Sequence, residues 1–301
     1  MNFVGIKNTI KQYKKPDGFP AEMMPDMAFP AVLEFQLKNI SPRYANGFRR
    51  ALFEIPFYVL YLKNIDCADP YNIREINQYE MFSVPIDQER EYKEDQDFWA
   101  RSKGNHEIVM SSDMEPFCPC SRNIKLVDCV LPSPRQIVVQ MGVAKTTKMI
   151  VPAAALVNQV QMNPVQEIPR DTDKRVDYNF RIHYKSNINH IKLLKNTINN
   201  IIERLEAIKV NLTPNVEDGS ENKYLWYMKP ETATIPCILS RAIYEEFPAI
   251  PFIAFKLDYG ENPSVPYMVI RFHEGAEALE ELIERSRAKC IEEWRSLLKT
   301  L

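Results

Sequence analysis

Residues 41 to 56 read SPRYANGFRRALFEIP, the strongest local fold signal in the chain. Ser41 is a good helix N-cap, Pro42 is a good first helical residue, and Pro56 ends the predicted helix. Four side chains at spacings of four, three and four share one face of that helix: Tyr44, Phe48, Ala51 and Ile55. Because a mid-helix glycine costs about 1 kcal/mol relative to alanine, Gly47 indicates either close packing against the helix or a merely tolerated glycine.

The same pattern returns near the C-terminal end of the chain. Residues 50 to 56 read RALFEIP and residues 241 to 248 read RAIYEEFP, so Arg-Ala-aliphatic-aromatic-Glu recurs shortly before a proline. Thr234 is placed to cap the second helix, which we expect to run to about Phe247, where Pro248 stops it. Two related half-units, each with an apolar helix face, are expected to pack about a pseudo-twofold axis as homodimer protomers do.

Each copy of the repeat is followed by a long predicted helix against which it could pack. Residues spaced three and four apart predict a helix over about 188 to 208 with a heptad seam. A second amphipathic helix is predicted over about 275 to 299, with Leu297 and Cys290 on its apolar face. We predict that the two halves pair through apolar residues of all four helices: Tyr44, Phe48, Ala51, Ile55, Ile191, Leu194, Ile198, Ile201, Leu205, Leu239, Ala242, Phe247, Leu279, Ile283 and Trp294.

Alternating apolar residues predict strands over residues 31 to 38 and 176 to 184, and a hairpin over 251 to 272. The fold class is therefore α+β, with two halves and a β-rich insertion in the first. The predicted divisions are an irregular N-terminal arm (1 to 29), a first half (30 to 59 and 174 to 210), the insertion (60 to 173), a linker (211 to 223) and a second half (224 to 301).

Composition narrows the functional classes. The chain has 301 residues, enough for two or three modest domains. Its formal net charge of -2 argues against a dedicated nucleic-acid binder, which needs a cationic face. Its 8 glycines lie far apart, which excludes phosphate-cradling loops. Apolar runs are shorter than the ~20 residues that span a bilayer, and with scattered cysteines we expect an intracellular protein without membrane partners.

A family resemblance rests on the first helix. Residues 45 to 50 read ANGFRR, and residues 54 to 56 read EIP. This resembles the pairing helix of the alpha-type assembly subunits of cellular RNA polymerases, which has an Ala-Asn-Ala-Leu-Arg-Arg core followed by Glu-x-Pro. That family includes bacterial alpha, the archaeal D and L subunits, and the third and eleventh subunits of eukaryotic polymerase II.

Weaker similarities follow in the family's order at residues 79 to 86, 137 to 154 and 248 to 255. The resemblance thus extends over about residues 30 to 301. It is degraded in the second copy, where the family's Gly-Asn pair is replaced by Pro236 and Cys237.

The resemblance implies a non-catalytic assembly subunit of a DNA-directed RNA polymerase, with third-subunit-like and eleventh-subunit-like halves fused in one chain. The implied partners are the two largest polymerase subunits and a small tenth- or twelfth-subunit-like protein. DNA and RNA would be contacted only through the complex, and no cofactor is expected. Such a fusion suggests a large DNA virus, hence a viral factory in the host cytoplasm or the virion; otherwise the nucleus or cytoplasm is expected.

Three polar residues of the first helix carry the implied interface. Arg49 and Arg50 match family arginines that face a large subunit, and arginine offers bidentate donors suited to interface carboxylates. Asn46 is placed to bond across the junction. The alternative is that all three lie on the solvated face of an amphipathic helix.

The cysteines and histidines are the residues that could form a metal site or a catalytic site. Cys118 and Cys120 form a Cys-Pro-Cys pair with Cys129 nearby, but a structural zinc site needs two such pairs. Free thiols are therefore the favoured interpretation, and no catalytic residue is predicted because no histidine falls in a nucleophile motif. Two other classes stay open: a metal- or thiol-dependent enzyme using this region, and a generic protein-interaction module.

Overall fold

The protein has a mixed α+β fold. The computed structural model describes residues 1–10, 31–67, 81–103, 108–120, 123–128, 136–148, 150–151, 155–166, 174–214, 222–229, 231–258 and 265–301. Every strand pairing in this part of the chain is antiparallel. No helix in it is long and apolar enough to cross a membrane.

The elements follow one another along the chain. The strands are β1 (Asn2–Ile10), β2 (Ala31–Ile40), β3 (Phe57–Asp66), β4 (Asp97–Arg101), β5 (Ile108–Met110), β6 (Met114–Glu115), β7 (Lys125–Asp128), β8 (Val138–Thr146), β9 (Val157–Pro164), β10 (Val176–Tyr184), β11 (Leu212–Pro214), β12 (Lys223–Tyr227), β13 (Phe252–Asp258) and β14 (Val265–Arg271). The α-helices are α1 (Pro42–Ala51), α2 (His190–Ala207), α3 (Thr234–Glu246) and α4 (Ala276–Leu298), and a 3-10 turn spans Ser111–Asp113.

The first sheet has the order β1-β2-β10-β9. The prediction of an irregular arm over residues 1 to 29 is wrong for residues 2 to 10, because they form β1 and pair along β2. Gly5 has a φ of +64° and the register shifts between Val4 and Lys7. This irregularity breaks the alternation by which a strand is recognised. The rest of the predicted arm lies outside the described residues.

Helix α1 begins as predicted and ends early. The Ser41 hydroxyl accepts a hydrogen bond from the Tyr44 amide, which confirms the N-cap. The helix stops at Ala51 and continues as a tight turn in which the Glu54 amide donates to the Ala51 carbonyl. A residue before proline avoids helical geometry, so the turn ends ahead of Pro56, while Ile55 is still buried.

The C-terminal sheet has the order β11-β12-β14-β13 and contains the predicted hairpin. Two predictions here need correction. Residues 211 to 223 are not a pure linker, because Leu212–Pro214 forms β11 against β12. Thr234 is the first residue of α3 and not its cap, because its hydroxyl donates to Glu54 Oε1 at 2.8 Å. A carboxylate is a stronger acceptor than a neutral partner.

The region between β3 and β8 has apolar packing of its own. Strands β3, β8, β4 and β6 form one sheet, and β5 pairs with β7. Their apolar side chains form a cluster distinct from the main core, which contains the first sheet, the C-terminal sheet and all four α-helices. The ring of Tyr61 lies over Gly142 so closely that a Cβ there would stand 2.4 Å from its Cζ. The exact division of the chain into domains stays a prediction.

Candidate pairing and docking site

The two helices that carry the repeat, α1 and α3, pack directly against each other. A Cβ on Gly47 of α1 would stand 2.5 Å from Cγ1 and 2.8 Å from Cδ1 of Ile238 on α3. Glycine therefore permits a helix approach that no larger residue allows without a shift. At the edge of the contact, Arg43 donates to the Ser240 hydroxyl at 3.0 Å. Of the two explanations for the mid-helix glycine, close packing is the correct one.

Aromatic rings join α1 to the long helix α4. The rings of Phe48 and Trp294 are stacked, with centroids 6.3 Å apart, and Tyr44 lies 5.8 Å from the same tryptophan. These rings belong to α1, in the first copy, and α4, which follows the second. The apolar face read from the sequence of α1 thus meets elements from the far end of the chain.

Most of the predicted pairing residues lie in the main core. Those fully buried there are Tyr44, Phe48, Ala51, Ile55, Leu194, Ile198, Ile201, Leu205, Leu239, Ala242, Leu279, Ile283 and Trp294. Phe247 is partly buried and meets the ring of Phe272 edge-on. Ile191 is only half-buried, because it lies in the first turn of α2.

The buried helix faces are wider than the predicted seam. Residues that the sequence pattern missed include Leu193, Thr197, Ile202, Ile235, Ile238, Leu282, Ser286 and Ile291. A two-position heptad seam selects a narrow stripe, whereas a helix buried in a globular core uses about 100° of its circumference. A helix pattern that includes a third heptad position contains several of these buried residues.

A partly buried ionic cluster surrounds Glu54, the glutamate of the first repeat. Arg204 of α2 donates to Glu54 Oε2 and to Glu231 Oε2, both at 2.5 Å. Thr232 and Thr234 donate to Glu54 Oε1 at 3.0 and 2.8 Å. Burial lowers the pKa of Arg204, but its hydrogen bond to Glu231 and the two carboxylate charges raise that pKa above its ordinary value.

A second cluster surrounds Glu245, the glutamate of the second repeat. Arg175, just before β10, donates to Glu245 Oε2 at 2.8 Å and to Glu293 Oε1 of α4 at 2.7 Å. Arg241 of α3 also donates to Glu245, at 2.9 Å. Each repeat therefore places a glutamate where an arginine from another element links three segments of the chain.

The three predicted interface residues form a half-buried polar edge on α1. Arg49 donates from Nε to Oδ1 of Asn46 at 3.0 Å, so the asparagine orients the arginine. Arg50 lies close enough to α3 for its charge to act on Cys237. Burial raises the pKa of that thiol, and the charges of Arg43 and Arg50 lower it in part. Which partner this edge contacts stays a prediction.

The cysteine pair between β6 and β7 lies near the surface. Cys118 and Cys120 are both half-buried free thiols, and burial, together with the neighbouring Cys118, raises the pKa of Cys120. Cys129 lies outside the described residues. Within the described part of the chain, no three side chains of the His, Cys, Asp or Glu type converge as a metal site would require.

Polar contacts fix the region between β3 and β8 to the segment that leads into α2 and to α2 itself. The buried amide of Gln88 accepts from the Tyr58 amide and donates to the Tyr58 carbonyl, both at 2.9 Å, as a neighbouring strand would. The backbone carbonyl of Gln88 accepts a hydrogen bond from Lys192 Nζ of α2 at 2.9 Å. Asn187 donates to the Ile86 carbonyl at 2.7 Å. The two parts of the molecule thus share a hydrogen-bonded joint in addition to the covalent connections.

In comparisons with known proteins, no family model matches this chain and no curated protein matches its sequence.

Proposed function

We propose that this chain is a non-catalytic assembly subunit of a multisubunit DNA-directed RNA polymerase. In this proposal, two alpha-subunit-like halves are fused and paired within one chain, and the pair docks the two large catalytic subunits. Nucleic acid is contacted only through the complex.

The observation that carries the proposal is the contact between Gly47 and Ile238. It joins the two copies of the repeat, helix against helix, as a subunit dimer would join them. The motif residues around it have separate roles. The apolar ones are buried in the core, Glu54 is bound by Arg204, and Arg49 and Arg50 are left at the half-buried edge.

Docking at this edge follows from arginine chemistry. The guanidinium groups of Arg49 and Arg50 offer planar, permanently charged donors for carboxylates and carbonyls of a partner. In the described part of the chain, the Arg49 side chain has one hydrogen bond, to Asn46, and the Arg50 side chain has no hydrogen bond or ion pair. Both therefore retain donors for a partner, at the desolvation cost usual for half-buried groups.

Co-purification tests the proposal. A tagged chain, recovered from its native source, is expected to bring the two largest polymerase subunits with it. Arg49→Glu with Arg50→Glu is expected to yield a folded protein that no longer assembles. The matched control is Lys195→Glu with Lys299→Glu, which makes the same charge change at two exposed positions, one in α2 and one just after α4. Failure to recover a large subunit, or unchanged assembly of the arginine variant, contradicts the proposal.

A further inference from the structure

The face of the C-terminal sheet that points away from the helices has an ordered composition. Directly paired residues of neighbouring strands share a face, so the register of β12, β14 and β13 defines three rows. The rows are Lys223, Arg271 and Phe252; Leu225, Val269 and Ala254; and Tyr227, Tyr267 and Lys256. These nine residues are called the outer face below. The opposite face of the same strands, including Trp226, Met268 and Ile270, is buried in the main core.

The outer face is apolar at its centre and aromatic at its ends. None of its six apolar residues belongs to either core cluster of the described chain. Val269, at the centre of the middle row, is only 5% exposed. Tyr227 and Phe252, at opposite ends, are each 44% exposed. An apolar centre with exposed aromatic residues at its margin is the usual composition of a protein interface.

The charges of these nine residues all have one sign, and the next pair of the same register, Val265 and Asp258, adds one carboxylate beyond Lys256, which leaves three positive charges and one negative charge along the face. Lys256 and Arg271 are exposed at opposite ends, and Lys223 adds a third positive charge beside Arg271. None of the nine residues is acidic. A partner that covers this face therefore meets cations at both ends and an aliphatic strip between them.

The dimensions of the outer face fit a single helix. Three strands about 4.8 Å apart, with side chains on one face repeating every ~7 Å, give a surface about 10 Å by 14 Å before the side chains are counted. An α-helix is about 10 Å in diameter. The aliphatic row would take the apolar stripe of such a helix, and the cations would take acidic side chains on its flanks.

Two other occupants fit less well. A second copy of this chain, docked face to face, would bring the same positive charges together, which opposes association. Single-stranded nucleic acid would suit the cations, but it binds by stacking bases on open aromatic rings. The rings of Tyr227 and Tyr267 are stacked on each other, with centroids 5.2 Å apart and planes 27° apart, so each ring has one face already covered.

We propose that the outer face is a docking surface for an acidic amphipathic helix of a partner protein. The proposal goes beyond the assembly function and does not depend on it, because it concerns another surface and requires no polymerase.

A display selection tests this surface with a defined probe. A library of random peptides of about 20 residues, long enough to form a helix of several turns, is selected on the full-length protein. The parallel target is the variant Lys256→Glu with Arg271→Glu. Peptides enriched on the wild type alone are expected to carry net negative charge and apolar residues at spacings of three and four. The charge reversal is expected to weaken their binding by about tenfold or more, and Tyr227→Ser is expected to weaken it as well.

Lys7→Glu with Lys38→Glu makes the same charge change on the first sheet and should leave peptide binding unchanged. The proposal is overturned if the enriched peptides are neutral or basic, or if none is enriched on the wild type. It is also overturned if oligothymidylate binds the wild type but not the Lys256 and Arg271 variant, or if sedimentation shows a dimer that this variant dissociates. Retained circular dichroism in every variant separates binding effects from unfolding.

Discussion

Glu54 and Glu245 occupy the same position of the repeated pattern, and each binds an arginine from outside its own helix. Arg204 reaches Glu54 from α2, and Arg175 reaches Glu245 from the start of β10. Each arginine also binds a second carboxylate, Glu231 for the first and Glu293 for the second. The glutamates thus hold together segments that are far apart in the chain, next to the contact between α1 and α3.

Replacing Arg204 is therefore expected to destabilise the protein strongly. Its side chain is 18% exposed, and those of Glu54 and Glu231 are 15% and 10% exposed. Arg204→Met leaves two carboxylates in a largely buried site without their cation, which costs about 3 kcal/mol of unfolding free energy. Urea unfolding followed by circular dichroism measures the change.

Arg295→Met is the matched control for that variant. Arg295 also pairs with a glutamate of α2, Glu206, but the two side chains are 57% and 46% exposed. The loss of such a surface pair is expected to change the unfolding free energy by less than about 1 kcal/mol. Equal effects of the two substitutions would show that the Arg204 cluster contributes no more than a surface ion pair.

The close approach of α3 to Gly47 determines whether Gly47→Ala raises or lowers the unfolding free energy. In an open helix, Gly47→Ala would stabilise by up to about 1 kcal/mol through helix propensity. Here the new Cβ would overlap Ile238, and overpacking costs about 1–3 kcal/mol, so we expect net destabilisation. In a double-mutant cycle with Ile238→Ala, the second substitution should relieve part of the cost of the first, with a coupling of about 1 kcal/mol. A Gly47→Ala protein more stable than the wild type would refute the close packing.

Local periodicity explains what the sequence predicted well. The buried face of α1, the alternation of β2 and β10, the C-terminal hairpin and the apolar stripes of α2 and α4 each arise within one element. A glycine kept in the middle of an apolar helix was itself a signal, and Ile238 accounts for it. The buried residues of the long helices follow for the same reason, since an apolar seam can be read from one helix without knowing its partner.

Long-range pairing explains what the sequence did not predict. Arg175 and Arg204 are central to the ionic clusters, yet an isolated arginine in a sequence is most simply placed in solvent. Their acceptors, Glu54 and Glu245, lie 150 and 70 residues away. The repetition of a glutamate at one position of both copies was the available signal. Strand β1 was missed because its evidence lies in its pairing with β2.

The joint between α2 and the region from β3 to β8 is expected to depend on Gln88. This side chain is 7% exposed and satisfies both backbone groups of Tyr58. Gln88→Ala would leave the part-buried N–H and C=O of Tyr58 without protein partners, which costs about 1–2 kcal/mol. Gln36→Ala, which removes an exposed hydrogen bond to Asn179, is the control and should cost less than about 0.5 kcal/mol. Thermal unfolding compares the two, and a Gln88 variant as stable as the control would contradict the role of the joint.

A buried lysine gives the chain a predictable response to alkaline pH. Lys185 follows β10 and is 9% exposed, and burial lowers its pKa to about 8. In the unfolded chain a lysine titrates near a pKa of about 10.4. Below pH 8 the folded protein therefore holds a buried ammonium group, and the full desolvation cost of that charge destabilises the folded state. Between the two pKa values the unfolded state binds more protons than the folded state, so this group makes stability rise with pH.

Replacing the lysine by methionine removes this dependence. The unfolding free energy of Lys185→Met minus that of the wild type is expected to fall by about 2 kcal/mol between pH 7 and pH 10. Urea unfolding at several pH values measures the difference. Burial also raises the pKa of the Cys290 thiol to about 12, which lowers stability above pH 9 in both proteins and so cancels in the subtraction. Lys195→Met, at an exposed position of α2, should give a flat difference. A flat difference for Lys185→Met as well would mean that this ammonium group is not destabilised by burial.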